Sequence, residues 1–334
     1  MREERAGGRR TRVKIPRQLP AFMATLASHI FGQLVKARER GYASGRLGVA
    51  RLGAPVISVG NLNVGGSGKT PTVIALGQAL QQRGLSFDVL TRGYGRRRRG
   101  LAIAQTGEED VAEVGDEPKL MALALRAPVM IHADRFRAGM ESEHRFHPRL
   151  HLLDDGFQHR QLGRNFDLVL VTPGDLEDRL LPAGRLREPL SALARASAVL
   201  WMGEGDLPET ARRFVTAPVF SGRKRALPVS CTAHRPFAFC GLGRPESFWR
   251  TLEESGITPS GRLAFRDHHR YRARDIARLR KLAAAASADG FITTAKDMVN
   301  LAGAGLEAPT VVSITMEVPA MEQLLDLILA ACRL

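Results

Sequence analysis

Gly65, Gly66, Ser67 and Gly68 stand between a short apolar strand and an amphipathic helix, within Pro-Val-Ile-Ser-Val-Gly-Asn-Leu-Asn-Val-Gly-Gly-Ser-Gly-Lys-Thr-Pro-Thr-Val at residues 55–73. With no bulky side chains in the way, their backbone N–H groups can converge on phosphate oxygens. Lys69 can then neutralise β- and γ-phosphates, and the Thr70 hydroxyl can coordinate Mg²⁺. The strict form of this loop has glycine five residues before Gly68, where this chain has Asn63. Asn tolerates left-handed backbone better than most residues, so the turn is expected to survive.

Carboxylates form the second chemical signal. The apolar run Leu150-His151-Leu152-Leu153 ends in Asp154-Asp155-Gly156, an arrangement that sets a Mg²⁺-organising acid beside a phosphate loop. Upstream, Val114-Gly115-Asp116-Glu117-Pro118 reads as a turn entering a helix. Asp116 there can serve the chemistry or merely cap the helix, with Pro118 in its first turn. Asp267-His268-His269 follows an expected strand; it is either a polar loop or a histidine oriented by a carboxylate for proton transfer. In an extended segment His269 would point away from His268 and tolerate Ala. An adenine nucleotide is favoured over guanine, because the nearest guanine-reading candidate, Ala295-Lys296-Asp297, lacks the residue between Lys and Asp.

These groups need elements to hold them. Strands are predicted at 87–91, 129–133, 150–154, 167–171 and 198–202, alternating with helical or irregular stretches such as 117–126 and 190–196. This rhythm implies a largely parallel sheet covered on both faces. Residues 204–236 are rich in Pro, Gly and Arg and read as a crossover or linker. Beyond it, strands at 237–240, 262–265, 290–293 and 310–314 and helices near 245–254, 273–286 and 320–332 form a smaller α/β unit. Two lobes with a cleft between them suit an enzyme with two substrates. The basic run Arg96–Arg99 at a strand end is either functional or a solvated turn.

The chain carries a formal charge of +15, and residues 1–17 supply seven Lys/Arg against two Glu. An anionic partner follows: nucleic acid, a phosphorylated metabolite or an acidic membrane surface. Three cysteines, Cys231, Cys240 and Cys332, are too few and too scattered for a disulfide framework or a Cys-x-x-Cys metal site, which points to a reducing compartment. Residues 1–17 lack apolar periodicity and read as a flexible arm. From Ala21 to Val35 an apolar stripe of Met23, Leu26, Ile30, Phe31 and Leu34 opposes Thr25, Ser28, His29 and Gln33. The stretch is too short and too polar for a membrane span, and basic residues rather than a cleavage site follow it. Its stripe either packs on the core or lies in an anionic lipid interface.

With these residues in hand, the sequence resembles the tetraacyldisaccharide 4'-kinases of lipid A biosynthesis over nearly its whole length. The resemblance rests on residues 60–71, Thr91-Arg92-Gly93-Tyr94-Gly95, Val114-Gly115-Asp116-Glu117-Pro118, Asp154-Asp155-Gly156-Phe157-Gln158-His159, Leu181-Pro182-Ala183-Gly184-Arg185-Leu186-Arg187-Glu188-Pro189 and Phe265-Arg266-Asp267-His268. Asn63 is in keeping with the family's loop, whereas Ala295 replaces a common Glu and Arg185 a usual Pro.

The resemblance implies an α/β fold: a P-loop NTPase-like, mostly parallel sheet domain with a second, smaller α/β domain. The expected divisions are a basic arm at 1–20, a membrane-associating helix at 21–36, a kinase domain at 37–228 and the smaller domain at 229–334. It also implies transfer of the ATP γ-phosphoryl group to the 4'-hydroxyl of a tetraacylated glucosamine disaccharide 1-phosphate. Carried over by position, Asp116 takes the hydroxyl proton with His268 as partner and Lys69 holds the phosphates. Thr70, Glu117, Asp154 and Asp155 organise Mg²⁺, and Arg92, Tyr94, Gln158 and His159 contact the lipid substrate. The enzyme is expected as a monomer on the cytoplasmic face of the inner membrane, with the anionic membrane surface and lipid A precursor as partners and no nucleic acid. From the residues alone, a P-loop switch or metallochaperone and a soluble small-metabolite kinase remain the competing classes.

Overall fold

The computed structural model describes residues 21–93, 96, 100–301, 303–306 and 308–334; the expected basic arm at 1–20, Tyr94 and Arg97–Arg99 lie outside them. The chain opens with helix α1 (Ala21–Ala43), longer than the predicted stripe, and continues through β1 (Val56–Asn61), α2 (Lys69–Gln82), β2 (Phe87–Thr91), β3 (Ala102–Ala104), α3 (Val111–Val114) and α4 (Asp116–Leu125). Then come β4 (Val129–Ile131), α5 (Arg135–Phe146), β5 (Leu150–Asp154), β6 (Phe166–Val171), α6 (Pro173–Leu176), a 3₁₀ turn at Leu190–Arg195, β7 (Ala198–Trp201), α7 (Glu209–Arg212) and β8 (Val219–Ser221). Strands β1 to β8 make one sheet in the order β3-β4-β2-β5-β1-β6-β7-β8, parallel throughout except for β3 at its edge. Every residue of β1, β2, β5 and β6 is buried, because helices cover both faces of a parallel sheet. That is why these strands read as continuous apolar runs.

The expected linker at 204–236 contains β8 and a further strand, β9 (Arg223–Ala226). The smaller lobe follows: β10 (Pro236–Cys240), α8 (Pro245–Glu254), β11 (Gly261–Ala264), α9 (Ala273–Ala285), β12 (Gly290–Thr294), α10 (Ala295–Asn300) and β13 (Thr310–Val312), with a parallel sheet in the order β11-β10-β12-β13. The strand expected over 310–314 stops at Val312, and a separate strand, β14 (Ile314–Glu317), pairs antiparallel with β9 before α11 (Met321–Cys332). The smaller domain expected at 229–334 therefore needs correction at its end. Met316, Val318, Leu324, Leu325, Ile328 and Cys332 join Leu76 and Leu80 of α2 in the core beneath the larger sheet, and Arg83 of the segment after α2 pairs with Asp326 at 3.0 Å. Periodicity identifies α11 as a helix, but its apolar stripe carries no address for one sheet over the other.

Below the sheet, at the strand ends opposite the phosphate loop, His151 is fully buried between Asp88 at 2.7 Å and Glu143 at 3.3 Å. Burial disfavours the imidazolium, yet the hydrogen bonds and charges of Asp88 and Glu143 outweigh it and raise the His151 pKa. His151→Ala is expected to cost about 3 kcal/mol, since it strands buried carboxylates. The folded form binds this proton more tightly than the unfolded chain. Its stabilisation is thus complete below about pH 6.5 and is lost as pH rises through the folded value. Thermal denaturation across pH 6–9 checks this: the pH slope should flatten in the variant, and an unchanged slope would assign it to other groups.

Candidate active site

The loop leaves β1 at the centre of the sheet. At Gly60 a side chain would strike Phe157, whose Cβ lies 2.5 Å from where a Cβ would stand, so glycine lets the 154–157 turn press on β1. Gly68 has φ +105° and caps α2, a conformation that favours glycine. A Cβ there would also meet Lys224 and Met316 at 2.8 and 2.9 Å. Asn63 behaves differently from expectation. It has no positive φ; instead its side chain accepts from Asn61 Nδ2 at 2.9 Å and donates to Asp175, while Asn61 Nδ2 also donates to Ser67 Oγ at 2.7 Å. Side-chain hydrogen bonding, rather than left-handed backbone, holds the loop. Beyond its chain neighbours, nothing lies within 4 Å of a Cβ built on Gly66, so the loop is open there at the N-terminus of α2, where anions are favoured.

Lys69 Nζ donates to Asn61 Oδ1 at 3.1 Å and sits 3.5 Å from Asp155. Arg187 grips the same groups, at 2.8 and 2.6 Å from Asp155 and 2.5 Å from Asn61 Oδ1. Burial pushes Asp155 up, but Arg187 and Lys69 prevail and bring its pKa down to about 2. Its neighbour behaves oppositely. Asp154 Oδ2 accepts from Thr91 Oγ1 at 2.9 Å, and Asp154 Oδ1 is buried with no partner. Burial first, then the charges of Glu117 and Asp155, push the Asp154 pKa up to about 7. A buried carboxyl whose nearby cation Lys69 does not offset its burial, and which keeps one oxygen unpartnered, suits a metal ion. Among the described residues no three His, Cys, Asp or Glu side chains gather into a closed metal cage. Mg²⁺ at nucleotide sites typically takes one or two carboxylates plus phosphate oxygens and water, which the residues present fit.

The third group joins the two lobes. Asp116 opens α4 and is buried, while His268 sits in the smaller lobe with φ +54°. Their side chains meet: His268 Nδ1 lies 2.8 Å from Asp116 Oδ2 and 3.1 Å from Oδ1. The pair is formed with the lobes as they stand. Asn300 Nδ2 donates to Asp116 Oδ2 at 3.2 Å. Burial raises the Asp116 pKa, but His268, Lys296 and Asn300 overcome it and the net shift is downward. The hydrogen bond to Asp116 raises the His268 pKa against burial. Asp116 Oδ1 also accepts from the Glu117 amide at 2.9 Å, but the N-cap position of α4 is Gly115 and no side chain caps it, so the pairing is realised and the capping reading is not.

Of the expected lipid contacts, Gln158 Nε2 donates to the Asn61 carbonyl at 2.9 Å and its own carbonyl accepts from Arg38 at 3.0 Å. His159 is pushed down to about 4 by burial and the charges of Arg135 and Arg164, so it is a neutral imidazole. Arg92 lies exposed just past the end of β2. A cavity of about 370 Å³ runs from Phe31 and Leu34 of α1 to Gln158, Arg160 and Arg187, connecting the first helix to the loop's surroundings. His269 does turn from the pair, to Asp275 at 3.2 Å, and stacks on Phe265 at 4.6 Å. It is thus a packed residue rather than an indifferent one. Arg187, Asn61, Asn300 and Lys296 escaped identification as site residues. Arg187 lies in a quoted motif without a chemical spacing to mark it, and the others gain meaning only when distant segments meet.

Sheet, loop and strand-end acids are those of the P-loop class of nucleotide-binding α/β proteins. The family model described as LpxK, tetraacyldisaccharide-1-P 4'-kinase, matches residues 20–333, and the chain belongs to that family. It is 45% identical over 285 residues to a tetraacyldisaccharide 4'-kinase of Koribacter versatilis (strain Ellin345), covering 82% of this chain and 87% of its relative. To the Geobacter metallireducens protein of the same description it is 36% identical over 305 residues, 86% of this chain and 90% of that one. The crystal structure of the "apo" form LpxK from Aquifex aeolicus in complex with ATP matches with a TM-score of 0.77 at 30% identity, covering 93% of this chain and 99% of that chain.

Proposed function

We propose that this chain transfers the γ-phosphoryl group of ATP to the 4'-hydroxyl of a tetraacylated glucosamine disaccharide 1-phosphate. The observation that carries this reading is the Asp116–His268 pair at 2.8 Å; the next residue, Glu117, acts by its charge on Asp154 beside the phosphate loop. A protein that only hydrolyses nucleotide needs no base poised for an acceptor alcohol. Asp116, held anionic, takes the proton of the hydroxyl as the oxygen attacks phosphorus, and His268 fixes the carboxylate's orientation. Lys69 holds the β- and γ-phosphates and follows the charge that builds on the transferring oxygens. Thr70, Glu117 and Asp154 would hold Mg²⁺, which when bound neutralises phosphate charge; Asp155 is better suited to steering Lys69 and Arg187. Gln158, His159, Arg92 and Tyr94 are proposed to contact the sugar phosphate of the lipid. The enzyme is proposed to act as a monomer. Incubation with γ-labelled ATP and the lipid disaccharide tests the proposal: label should move to the lipid. Hydrolysis unaffected by the lipid would favour a nucleotide switch instead.

The acceptor's acyl chains also bear on α1. Phe22, Met23, Leu26, Ile30 and Leu34 are 78%, 51%, 54%, 55% and 63% exposed, while Ser28 on the opposite side accepts from the Ala183 amide at 2.9 Å and donates to the Leu180 carbonyl at 2.8 Å. The helix docks through Ser28 together with the half-buried Ala24, Ala27, Phe31 and Val35, and it leaves most of its apolar stripe outward, alongside the exposed Thr25, His29 and Gln33. No described helix is long and apolar enough to cross a membrane. Interfacial burial of this face on the inner membrane's anionic cytoplasmic surface accounts for both observations. Deleting residues 1–35, or placing Asp at Phe22, Leu26 and Ile30 together, should release protein from anionic vesicles at least tenfold in partition, given about 1.5–3 kcal/mol per fully buried side chain. Cosedimentation equal to the parent would mean another surface anchors the enzyme.

A further inference from the structure

Lys296 is absorbed by none of the roles above, although its ammonium stands among them. Its Nζ lies 3.1 Å from Asp267 Oδ1, 3.3 Å from His268 Nε2, and 3.9 Å from both Asp116 Oδ2 and Glu117 Oε1, and its side chain is only 16% exposed. An ammonium has donors and no acceptor. In the contact with the neutral His268 ring, therefore, Lys296 donates and Nε2 offers its lone pair. The ring's single proton is then left on Nδ1, the atom 2.8 Å from Asp116.

The placement of Lys296 is itself secured. It lies in α10, whose start is pinned by Asp297: Asp297 Oδ1 accepts from Tyr271 at 2.8 Å and from the Gly241 amide at 2.8 Å, and its Oδ2 from Thr294 at 2.5 Å. One helical turn on, Asn300 bonds the Lys296 carbonyl at 3.1 Å and Asp116 at 3.2 Å. Residues four apart share a helix face, so α10 presents Lys296 and Asn300 together to the pair.

We infer that Lys296 is a positioning residue that holds the His268 imidazole in its Nδ1–H tautomer, so that His268 donates to Asp116 and leaves that carboxylate as the proton acceptor. Without this contact Nε2 faces the Asp267 carboxylate, 3.9 Å away, which draws a proton to Nε2 in competition with the one Asp116 holds on Nδ1. The tautomer is a property of the folded protein and stands apart from catalysis; only the kinetic consequence rests on the reading of Asp116 as base.

The test is ¹⁵N NMR of histidine-labelled full-length protein, with the His268 signals assigned by their loss in His268→Asn. The parent should show a protonated Nδ1 and an unprotonated Nε2. Lys296→Met should shift the ring toward the Nε2–H form and lower kcat on the order of tenfold or more, the scale seen when a partner that orients a working imidazole is removed. Its KM for ATP should stay within about twofold, because Lys296 is not assigned to the nucleotide, and Lys296→Arg should restore both tautomer and rate in large part. A parent His268 protonated at Nε2 alone overturns the inference, whatever the variants do. So does an unchanged tautomer in folded Lys296→Met, even with activity lost. A shifted tautomer with kcat intact would uphold the placement of the proton and instead overturn the catalytic reading of the pair.

Discussion

Lys69→Ala should reduce phosphoryl transfer by at least about 10³-fold while the protein melts within a few degrees of the parent. Phosphoryl transfer depends on positioning and charge neutralisation more than on covalent help, and Lys69 is the one cation that both follows the loop and leads α2. Its side chain empties no core position: it spans from the loop to Asn61 at 3.1 Å and Asp155 at 3.5 Å. Removal leaves Asp155 with Arg187 at 2.6 Å, so that carboxylate keeps a counter-charge, and Asp154, whose pKa is already pushed up to about 7, can take a proton; the stability cost is small. Arg187 cannot stand in for the missing charge, because its guanidinium is already committed to Asp155 and Asn61. Lys69→Arg should recover little, since the longer planar fork does not match the site of a compact ammonium. Steady-state transfer kinetics beside a thermal melt decide the matter; turnover near the parent's in a folded Lys69→Ala protein would remove the phosphate-loop assignment.

Asp116→Ala and His268→Ala should each lower kcat by about 10²–10⁴, the range for loss of a general base, and the double variant should fall little further. Two groups that act as one unit show this strong non-additivity. The contact at 2.8 Å makes the expectation firm in kind: once either partner is gone, the other has no carboxylate to orient or no imidazole to orient it. KM for ATP should move far less than kcat, as neither group touches the nucleotide loop. His269→Ala serves as a control with two readings. Its ring packs on Phe265 and reaches Asp275, so the variant should lose roughly 1–3 kcal/mol of stability yet keep its kcat per folded molecule. Losses that multiply in the double variant, or a larger drop in kcat at His269 than at His268, would dissolve the pair and leave Asp116 as an acid in the first turn of α4.

Much of this site is local in sequence, and what is local was legible. The strand–loop–helix around Lys69, the acids ending β5 and the turn into α4 each sit within a few residues, so spacing alone shows which chemistry they suit. Their meeting is another matter. His268 and Lys296 reach Asp116 from the other lobe, and their partnership was expected only through the family resemblance for His268 and not at all for Lys296. Arg187 has no signal of its own because a guanidinium bridging Asp155 and Asn61 depends on where a distant loop returns. Short edge strands β3 and β8 were missed because three residues carry no alternation. Helix α5 was passed over although Asp134 announces it, accepting from the amides of Phe136 and Arg137. At Asn63 the residue was read correctly and the reason was not: hydrogen bonding to Asn61 and Asp175 did the work assigned to backbone permissiveness.

The antiparallel pair β9 and β14 has an evolutionary and engineering meaning. Ala226 pairs with Ile314, so the chain leaves for the smaller lobe and comes back at neighbouring points, about 5 Å apart across a ladder. Residues 227–313 are thus an insertion in a nucleotide-binding domain that begins before them and is finished by α11 after them. Such a lobe can be exchanged or shortened without reconnecting the host, because its two ends already meet at the host's surface. The host would retain the loop, Lys69 and the acids of β5, and would surrender His268 and Lys296. The host would also keep Asp116, so the lobe's contribution to the site is the partner that orients the carboxylate and not the carboxylate itself.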